Sequence, residues 1–323
     1  MRAVNRRAFL ALALGSSIAA LSGCRSARAS AASPPAGVRQ STSGRSVQEL
    51  AVDGVTRRYV RYEPPGLDPA TAVPLVLVLH GRGGNGTIAE RLYEMSDQAA
   101  LHGFVVVYPD ALGDPPTWHS GLGLGGSQGD DVAFIRALVA REAGTRALDQ
   151  SRVFTCGHSS GGLMSYRLAA EASDLFPAVG IVAGSVGVRG PNGRTITIPK
   201  PPRPVSVIHF HGTDDPLVPY NGGSPSRPTG FVSVAESIRF WVAENGCDPT
   251  PTTETVGVAR RDTYAGGRDS AEVTLWTIEG GGHGWPKVGG RSSVGVSPAG
   301  ISATDLIWGF FAAHPRGAIG RMS

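Results

Sequence analysis

Runs of apolar residues alternate with amphipathic segments along most of this chain of 323 residues. Continuous apolar runs, which are typical of strands covered on both faces, occur at 73–81, 104–110, 178–185, 205–212 and 272–281. Helical spacing of apolar residues occurs near 87–102, 130–144, 232–245 and 303–313. This alternation predicts an α/β fold with a mostly parallel central sheet and helices on both faces. In such a sheet, reactive groups lie beyond the carboxyl ends of the strands.

A strand, a tight turn and a helix are predicted in direct succession at 152–171, RVFTCGHSSGGLMSYRLAAE. Ser159 stands in the turn, in the pattern G-x-S-x-G. A strained strand-to-helix turn flanked by glycines holds a serine hydroxyl clear of the sheet, where a base can activate it. Ser159 is therefore the predicted nucleophile. A second match, GGSQG at 125–129 with Ser127 at its centre, follows loop residues instead of a strand, which predicts a loop serine near a helix start.

An activated serine on such a sheet needs an acid and then a histidine, each in a loop after a later strand. His283 fits the base because it lies in EGGGHGWP, directly after the last predicted strand. The acid is expected in TDDPLVPY, where the spacing leaves Asp214 and Asp215 as alternatives. The backbone N–H groups of Ser160 and Arg82 are predicted to form an oxyanion hole, because one follows the nucleophile and the other follows an earlier strand.

The first 24 residues predict an export signal. Arginines precede an apolar run at 8–21 that is too short to span a bilayer comfortably. Arg6-Arg7 resembles a twin-arginine signal, and LSGC ending at Cys24 resembles a bacterial lipobox, whose cysteine is lipidated and anchors the protein to a membrane. The alternative is an ordinary cleaved secretory signal that carries a cysteine. Residues 25–46 predict a flexible Ser/Ala/Pro tether, and 47–323 a single catalytic domain in the cell envelope or outside the cell.

Charge and cysteine content narrow the class of protein. A formal net charge of +4, with scattered Lys and Arg, argues against a nucleic-acid surface. The sequence has neither zinc-like spacing of His, Cys and Asp nor a phosphate-binding loop, so it predicts no metal and no organic cofactor. Cys156 and Cys247 can pair in an exported protein, and the sequence leaves this disulfide and the oligomeric state open.

Five segments, in this order, resemble one family: PLVLVLHGRGG, GDDVAFIRAL, GHSSGGLMSYRLA, HGTDDPLVPY and EGGGHGWP. It is the esterase family of poly(3-hydroxybutyrate) depolymerases, feruloyl esterases and acetylxylan esterases, which includes bacterial lipoproteins. The resemblance implies an α/β-hydrolase fold, with Asp215 as the acid and His283 as the histidine. Arg82 stands where a small residue or cysteine is usual, and Gly284 where threonine is usual. Both departures concern substrate preference more than hydrolysis.

The resemblance implies an exported serine esterase that forms an acyl-enzyme on Ser159. Its ester substrate is expected to be a polyhydroxybutyrate-type polyester or oligomer, or a feruloyl or acetyl sugar ester. An acyltransferase or serine peptidase on the same fold is one alternative, and a ligand-binding lipoprotein with an inactive hydrolase body is another. The segment 186–204 is short and rich in Gly and Pro, so no large lid is expected. We predict an open cleft edged by Trp118 and Trp285, and the alternative is that either tryptophan packs in the core.

Overall fold

The computed structural model describes residues 44–125, 129–224, 230–288, 291–292, 295–296 and 300–317. The predicted export signal with Cys24, almost all of the predicted tether, and Ser127 lie outside these residues. The tether prediction is wrong for its last two residues, because Arg45 and Ser46 belong to the first strand and pair with the second. Within the described ranges, no helix has the length and apolar character needed to cross a membrane.

A ten-stranded sheet forms the centre of the described structure, and five further strands form two smaller sheets. In chain order the strands are β1 (Arg45–Val52), β2 (Val55–Tyr62), β3 (Val73–Leu79), β4 (Val105–Pro109), β5 (Leu148–His158), β6 (Ala178–Val182), β7 (Gly187–Arg189), β8 (Thr195–Thr197), β9 (Ser206–Gly212), β10 (Gly230–Phe231), β11 (Thr252–Val256), β12 (Ala259–Tyr264), β13 (Val273–Ile278), β14 (Arg291–Ser292) and β15 (Gly295–Val296). The order in the large sheet is β1-β2-β4-β3-β5-β6-β9-β13-β12-β11. From β4 to β13 all neighbours are parallel, and antiparallel strands extend both edges.

Helices cover both faces of this sheet. They are α1 (Gly86–Tyr93), α2 (Met95–His102), α3 (Asp131–Thr145), α4 (Ser160–Glu171), α5 (Val234–Asn245) and α6 (Ala303–Ala313). Apolar residues of α3, α4 and α5 share one core with Leu75, Leu77 and Leu79 of β3, whereas α1, α2 and α6 share a second core with Val76 and Val78. Alternate side chains of one strand thus enter opposite cores, as the period of a strand requires. The predicted mostly parallel sheet with helices on both faces is confirmed.

Three local features differ from the sequence prediction. The helix predicted near 87–102 breaks at Glu94, whose φ of 53° is left-handed. The break is stabilised from α6, because the hydroxyl of Thr304 donates to the carbonyl of Tyr93 at 2.6 Å. The hairpin of β11 and β12 was not predicted, since all five residues of β11 are exposed and lack an apolar pattern. The segment 186–204 contains β7 and β8, which form a small antiparallel sheet with β10.

The possible disulfide between Cys156 and Cys247 is not formed, because both thiols are free and buried. Burial raises the pKa of both thiols, so each behaves as a small apolar side chain.

Candidate active site

Ser159 lies in the turn between β5 and α4, with a backbone φ of 55° and ψ of −118°. Two glycines around it are required by close backbone contacts. A Cβ on Gly157 would lie 2.4 Å from the carbonyl carbon of Gly161, and a Cβ on Gly161 would lie 2.3 Å from the carbonyl oxygen of Leu79. Because non-glycine residues rarely adopt a positive φ, the backbone at Ser159 is strained and is maintained by this tight packing.

The loop that follows β3 is fixed from both sides. The Nδ1–H of His80 donates to the carbonyl of Gly81 at 2.7 Å, while its Nε2 accepts from the backbone N–H of Ala111 at 2.9 Å. The indole N–H of Trp118 donates to the carbonyl of His80 at 2.9 Å. Burial lowers the pKa of His80, which keeps this ring neutral and able to accept. The loop therefore presents the backbone of Arg82 in a defined position, with the Arg82 side chain exposed.

Asp215 is buried after β9, and Asp214 beside it is exposed. The Oδ2 atom of Asp215 accepts from Nδ1–H of His283 at 2.7 Å. Its Oδ1 atom accepts from the backbone N–H groups of Leu217 at 2.8 Å and Val218 at 2.9 Å. The structure thus brings Asp215, and not Asp214, to the imidazole of His283.

The loops that carry Asp215 and His283 are bonded to each other. The backbone N–H of Asp214 donates to the carbonyl of Gly281 at 2.9 Å, and Gly280 N–H donates to the hydroxyl of Thr213 at 2.8 Å. A Cβ on Gly212 would lie only 2.0 Å from the carbonyl oxygen of Gly281. The glycines that the sequence places before and after these loops therefore permit the approach of aspartate and histidine.

The charge of Asp215 is stabilised by its donors. Burial alone would raise the pKa of this carboxyl group, but hydrogen bonds from His211, His283 and the Val218 amide outweigh burial and hold the pKa well below its usual range. An ionised carboxylate beside Nδ1 keeps a proton on that nitrogen and leaves Nε2 of His283 as the atom able to accept a proton.

His158, directly before Ser159, is a residue of the site that sequence reasoning missed. Its Nε2–H donates to the carbonyl of His283 at 3.1 Å. Burial, and secondarily the charge of His283, lowers the pKa of His158 to about 3. This ring therefore stays neutral and fixes the loop of His283. Its position next to the serine was the available signal.

Ser159, Ser160, Arg82 and His283 line one cavity of about 810 Å³. The Nε2 atom of His283 is buried and has no hydrogen-bond partner in the described structure. Ser160 is the first residue of α4, where helix geometry leaves backbone N–H groups without an intrahelical acceptor. The remaining wall is largely apolar and includes Ile88, Leu92, Leu124, Leu163, Leu217 and Phe231.

Trp118 and Trp285 also line this cavity, but both are buried rather than placed on an open edge. The indole N–H of Trp285 donates to the hydroxyl of Thr304 at 3.0 Å, and its ring stacks on Tyr93 with centroids 4.3 Å apart. Both tryptophans therefore fix surrounding loops and contribute to the cavity wall. The prediction that they form an exposed edge of an open cleft is wrong, because both side chains are buried.

Beneath the loop of Asp215, His209 and His211 of β9 form a hydrogen bond with each other, and His209 forms a second one with Tyr166 of α4. Sequence reasoning assigned no role to either histidine. The signal that was available is the pattern HFH, which places His209 and His211 on one face of a strand that leads into the acid. Across the described part of the chain, no group of three or more His, Cys, Asp or Glu residues is arranged to hold a metal ion.

A strained serine turn, a glycine loop after an inner strand, and an Asp–His pair in loops after later strands of a mostly parallel sheet together define the chain as an α/β-hydrolase. Comparison with known proteins identifies the family. Residues 57–194 match the family model described as esterase PHB depolymerase. The chain belongs to this esterase family, and it is a carboxylic ester hydrolase.

Two curated relatives and one solved structure illustrate the similarity. The chain is 31% identical to a putative esterase, NocK, of Nocardia uniformis, with 94% of this chain and 95% of the relative covered. It is 31% identical to feruloyl esterase C of Emericella nidulans, with 80% of this chain and 84% of the relative covered. The structure of an acetyl xylan esterase from Aspergillus awamori aligns with a TM-score of 0.55 at 18% identity, over 76% of this chain and 96% of that chain, which supports the fold.

Proposed function

We propose that the protein is a serine esterase in which Ser159 is the nucleophile, His283 the general base and acid, and Asp215 the residue that orients His283. The observation that carries this proposal is the hydrogen bond of 2.7 Å between Asp215 and Nδ1 of His283, whose other nitrogen is buried without a partner at the cavity of Ser159. No hydrogen bond joins Ser159 to His283 in the described structure, and catalytic hydrogen bonds of this kind often tighten only when substrate binds.

The chemistry follows from this arrangement. His283 Nε2 takes the proton of the Ser159 hydroxyl as the oxygen attacks the ester carbonyl, and a tetrahedral intermediate forms. His283 then returns the proton to the leaving alcohol, and an acyl-enzyme remains on Ser159. Water, deprotonated by the same nitrogen, releases the carboxylic acid and restores the serine. Asp215 stabilises the imidazolium that exists between these proton transfers.

The oxyanion is proposed to bind to the backbone N–H groups of Ser160 and Arg82. Ser160 contributes an N–H group from the beginning of a helix, where the helix dipole also favours negative charge. Arg82 lies in the loop that His80 and Trp118 fix. A donor of this type typically contributes on the order of 3 kcal/mol to the transition state.

The proposed substrates are esters with a bulky acyl or alcohol group, such as feruloyl or acetyl sugar esters or hydroxybutyrate oligomers. The relatives are named as feruloyl and acetyl xylan esterases, and the family model carries the name PHB depolymerase. The cavity has the volume and the apolar wall that an aromatic or short aliphatic acyl group requires.

We further propose that residues 1–24 direct export, that Cys24 is lipidated, and that the segment from 25 to the start of β1 at Arg45 is a tether that connects the anchor to a single catalytic domain. This proposal rests on the sequence pattern. The Cys24→Ser variant is expected to move from the membrane fraction to the soluble fraction, or to accumulate as an unprocessed precursor. Unchanged processing and membrane fractionation would count against lipidation.

A fluorophosphonate probe and an ester panel test the catalytic proposal. The probe should modify the full chain at Ser159, as mapped by peptide mass spectrometry, and Ser159→Ala should lose both the label and ester hydrolysis. The matched control is Ser127→Ala, which changes the serine of the second G-x-S-x-G match and should keep both. Absence of label on the folded wild-type protein would support a ligand-binding role, and transfer of the acyl group to an added sugar in preference to water would support an acyltransferase.

A further inference from the structure

A chain of three buried hydrogen bonds leads from the helix after the nucleophile to the carbonyl of Val218, beside the carboxylate of Asp215. The hydroxyl of Tyr166 lies 2.5 Å from Nδ1 of His209, and Nε2 of His209 lies 2.9 Å from Nδ1 of His211. Nε2 of His211 lies 2.8 Å from the carbonyl oxygen of Val218 and 3.4 Å from Oδ2 of Asp215. Tyr166, His209 and His211 are each exposed by 1% or less.

The protons in this chain have one arrangement when both imidazoles are neutral. The carbonyl of Val218 can only accept, so Nε2 of His211 carries hydrogen and Nδ1 of His211 accepts. His209 must then donate from Nε2 to His211, which leaves Nδ1 of His209 to accept from the hydroxyl of Tyr166. Every donor therefore points toward the loop of Asp215, and Nε2 of His211, which donates to the Val218 carbonyl, also lies 3.4 Å from the carboxylate.

The surroundings keep this direction stable. Burial lowers the pKa of His209 and raises the pKa of Tyr166, so both groups stay neutral. Two further rings pack on the chain: Trp241 stacks on Tyr166, and Tyr220 meets His211 in a T-shaped contact. Among the described residues, Asp215 is the ionised group that contacts the chain directly.

The chain also joins two parts of the site that come from distant segments of sequence. Tyr166 lies in α4, which begins immediately after Ser159, and its partners lie in β9, which leads into the loop of Asp215. Val218 fixes the loop of Asp215 through two hydrogen bonds. Its N–H donates to Oδ1 of Asp215, and its carbonyl accepts from Nε2–H of His211.

We propose that Tyr166, His209 and His211 are positioning residues for Asp215, which hold its Oδ2 atom in place against His283 and connect the acid loop to the helix that carries the nucleophile. This inference rests on the proposed role of Asp215 in the triad. It predicts that the N–H at the position of His211 Nε2 is needed for turnover and that substrate binding depends on it much less.

Two substitutions of His211 separate this role from simple packing. The amide nitrogen of Gln reaches about the position of imidazole Nε2, whereas the shorter Asn reaches only that of Nδ1. We expect His211→Asn to lower kcat by on the order of 10- to 100-fold, the loss that accompanies removal of a hydrogen bond to a charged group, with KM changed less than about threefold. His211→Gln should retain kcat within about fivefold of wild type.

The wild-type protein supplies a test that needs no substitution. Nitrogen-15 NMR of the histidine side chains should find His209 neutral with its hydrogen on Nε2, and in Tyr166→Phe this preference should weaken because Nδ1 has lost its donor. A hydrogen on Nδ1 of His209 in the wild-type protein would overturn the proposal. This measurement decides the question even if a His211 variant fails to fold.

The outcomes distinguish the positioning role of Tyr166, His209 and His211, called the relay below, from the catalytic role of the triad. If Ser159→Ala abolishes turnover but His211→Asn and His211→Gln have equal kcat at equal thermal stability, the relay is wrong and the triad stands. If Ser159→Ala keeps full turnover, the proposed function itself is wrong. A rise in KM with unchanged kcat in His211→Asn would assign the residue to substrate binding and would also overturn the relay.

Discussion

Replacement of Asp215 by asparagine tests the acid of the proposed triad, because the carboxylate is bonded on both oxygens. Oδ1 accepts from two backbone N–H groups, of Leu217 and Val218, and Oδ2 accepts from Nδ1–H of His283. The single oxygen of an asparagine amide can accept either from the two backbone N–H groups or from His283. If it served His283, two backbone donors would lose their acceptor, at about 1–3 kcal/mol each, so the oxygen is expected to stay with the backbone.

The amide NH₂ of the asparagine then faces His283, whose Nδ1 must become an acceptor. The hydrogen of the neutral ring moves to Nε2, so the ring cannot take the proton of Ser159, and the charge that stabilises imidazolium is lost as well. Disturbing a triad in this way typically lowers kcat by on the order of 10⁴-fold, equivalent to roughly 5 kcal/mol in the barrier.

The assay is the initial rate of p-nitrophenyl acetate hydrolysis, measured with proteins of equal urea stability. Asp214→Asn is the matched control, because its carboxylate is exposed and its backbone bond to Gly281 survives the change. We expect this control to remain within about threefold of wild type. A kcat for Asp215→Asn within tenfold of wild type, or a larger loss in Asp214→Asn, would refute the reasoning.

Three further predictions follow from individual contacts. Gly161→Ala should lower the free energy of unfolding by at least about 1–3 kcal/mol and abolish turnover, because the added Cβ meets backbone atoms. Gly144→Ala, which has open space around it, should raise the free energy of unfolding by about 0.5–1 kcal/mol, and equal effects in urea unfolding would contradict this. Since the folded-state pKa of Asp215 is depressed, its contribution to the free energy of unfolding should be present above about pH 4 and lost below it, and the stability of Asp215→Asn should fall less steeply with acid in pH-dependent urea titrations; parallel curves would argue against it. Leu217→Asp, at a half-exposed position in the cavity wall, should lower kcat/KM for a feruloyl ester roughly fivefold, and Leu101→Asp, exposed elsewhere, should not; equal rates would exclude a contact with the acyl group.

The sequence predicted the centre of the sheet well because continuous apolar runs leave few alternatives to buried strands. The prediction failed where the local conformation depends on contacts with a distant segment of the chain. The left-handed residue Glu94 is stabilised by a hydrogen bond from Thr304 to its neighbour Tyr93, a contact between residues more than 200 positions apart. The exposed strand β11 carries no apolar period, since the edge of the sheet buries none of its side chains.

The candidate site divides in the same way. Order along the chain and glycine context were enough to select Ser159 and His283, because strand ends on one edge of a parallel sheet converge. They did not separate Asp214 from Asp215 without the family resemblance, since burial differs between adjacent residues only after the loop has folded. The roles of Trp118 and Trp285 depended on partners for their indole N–H groups, which spacing does not reveal.

The histidines of β9 show why such features escape a search by motif. His209 and His211 alternate with Phe210, which enters the opposite core, so the pattern places two imidazoles on one buried face. A buried imidazole needs a hydrogen-bond partner for each nitrogen, and β9 itself supplies none for Nδ1 of His209 or for Nε2 of His211. The partners come from α4 and from the turn after Asp215. Because the same turn holds the carboxylate, satisfying the two histidines and fixing the acid are one structural requirement. A chain that keeps this serine and aspartate should therefore tolerate replacement of His211 only by a residue that still directs a donor at the Val218 carbonyl and Oδ2 of the acid, as His211→Gln is expected to do.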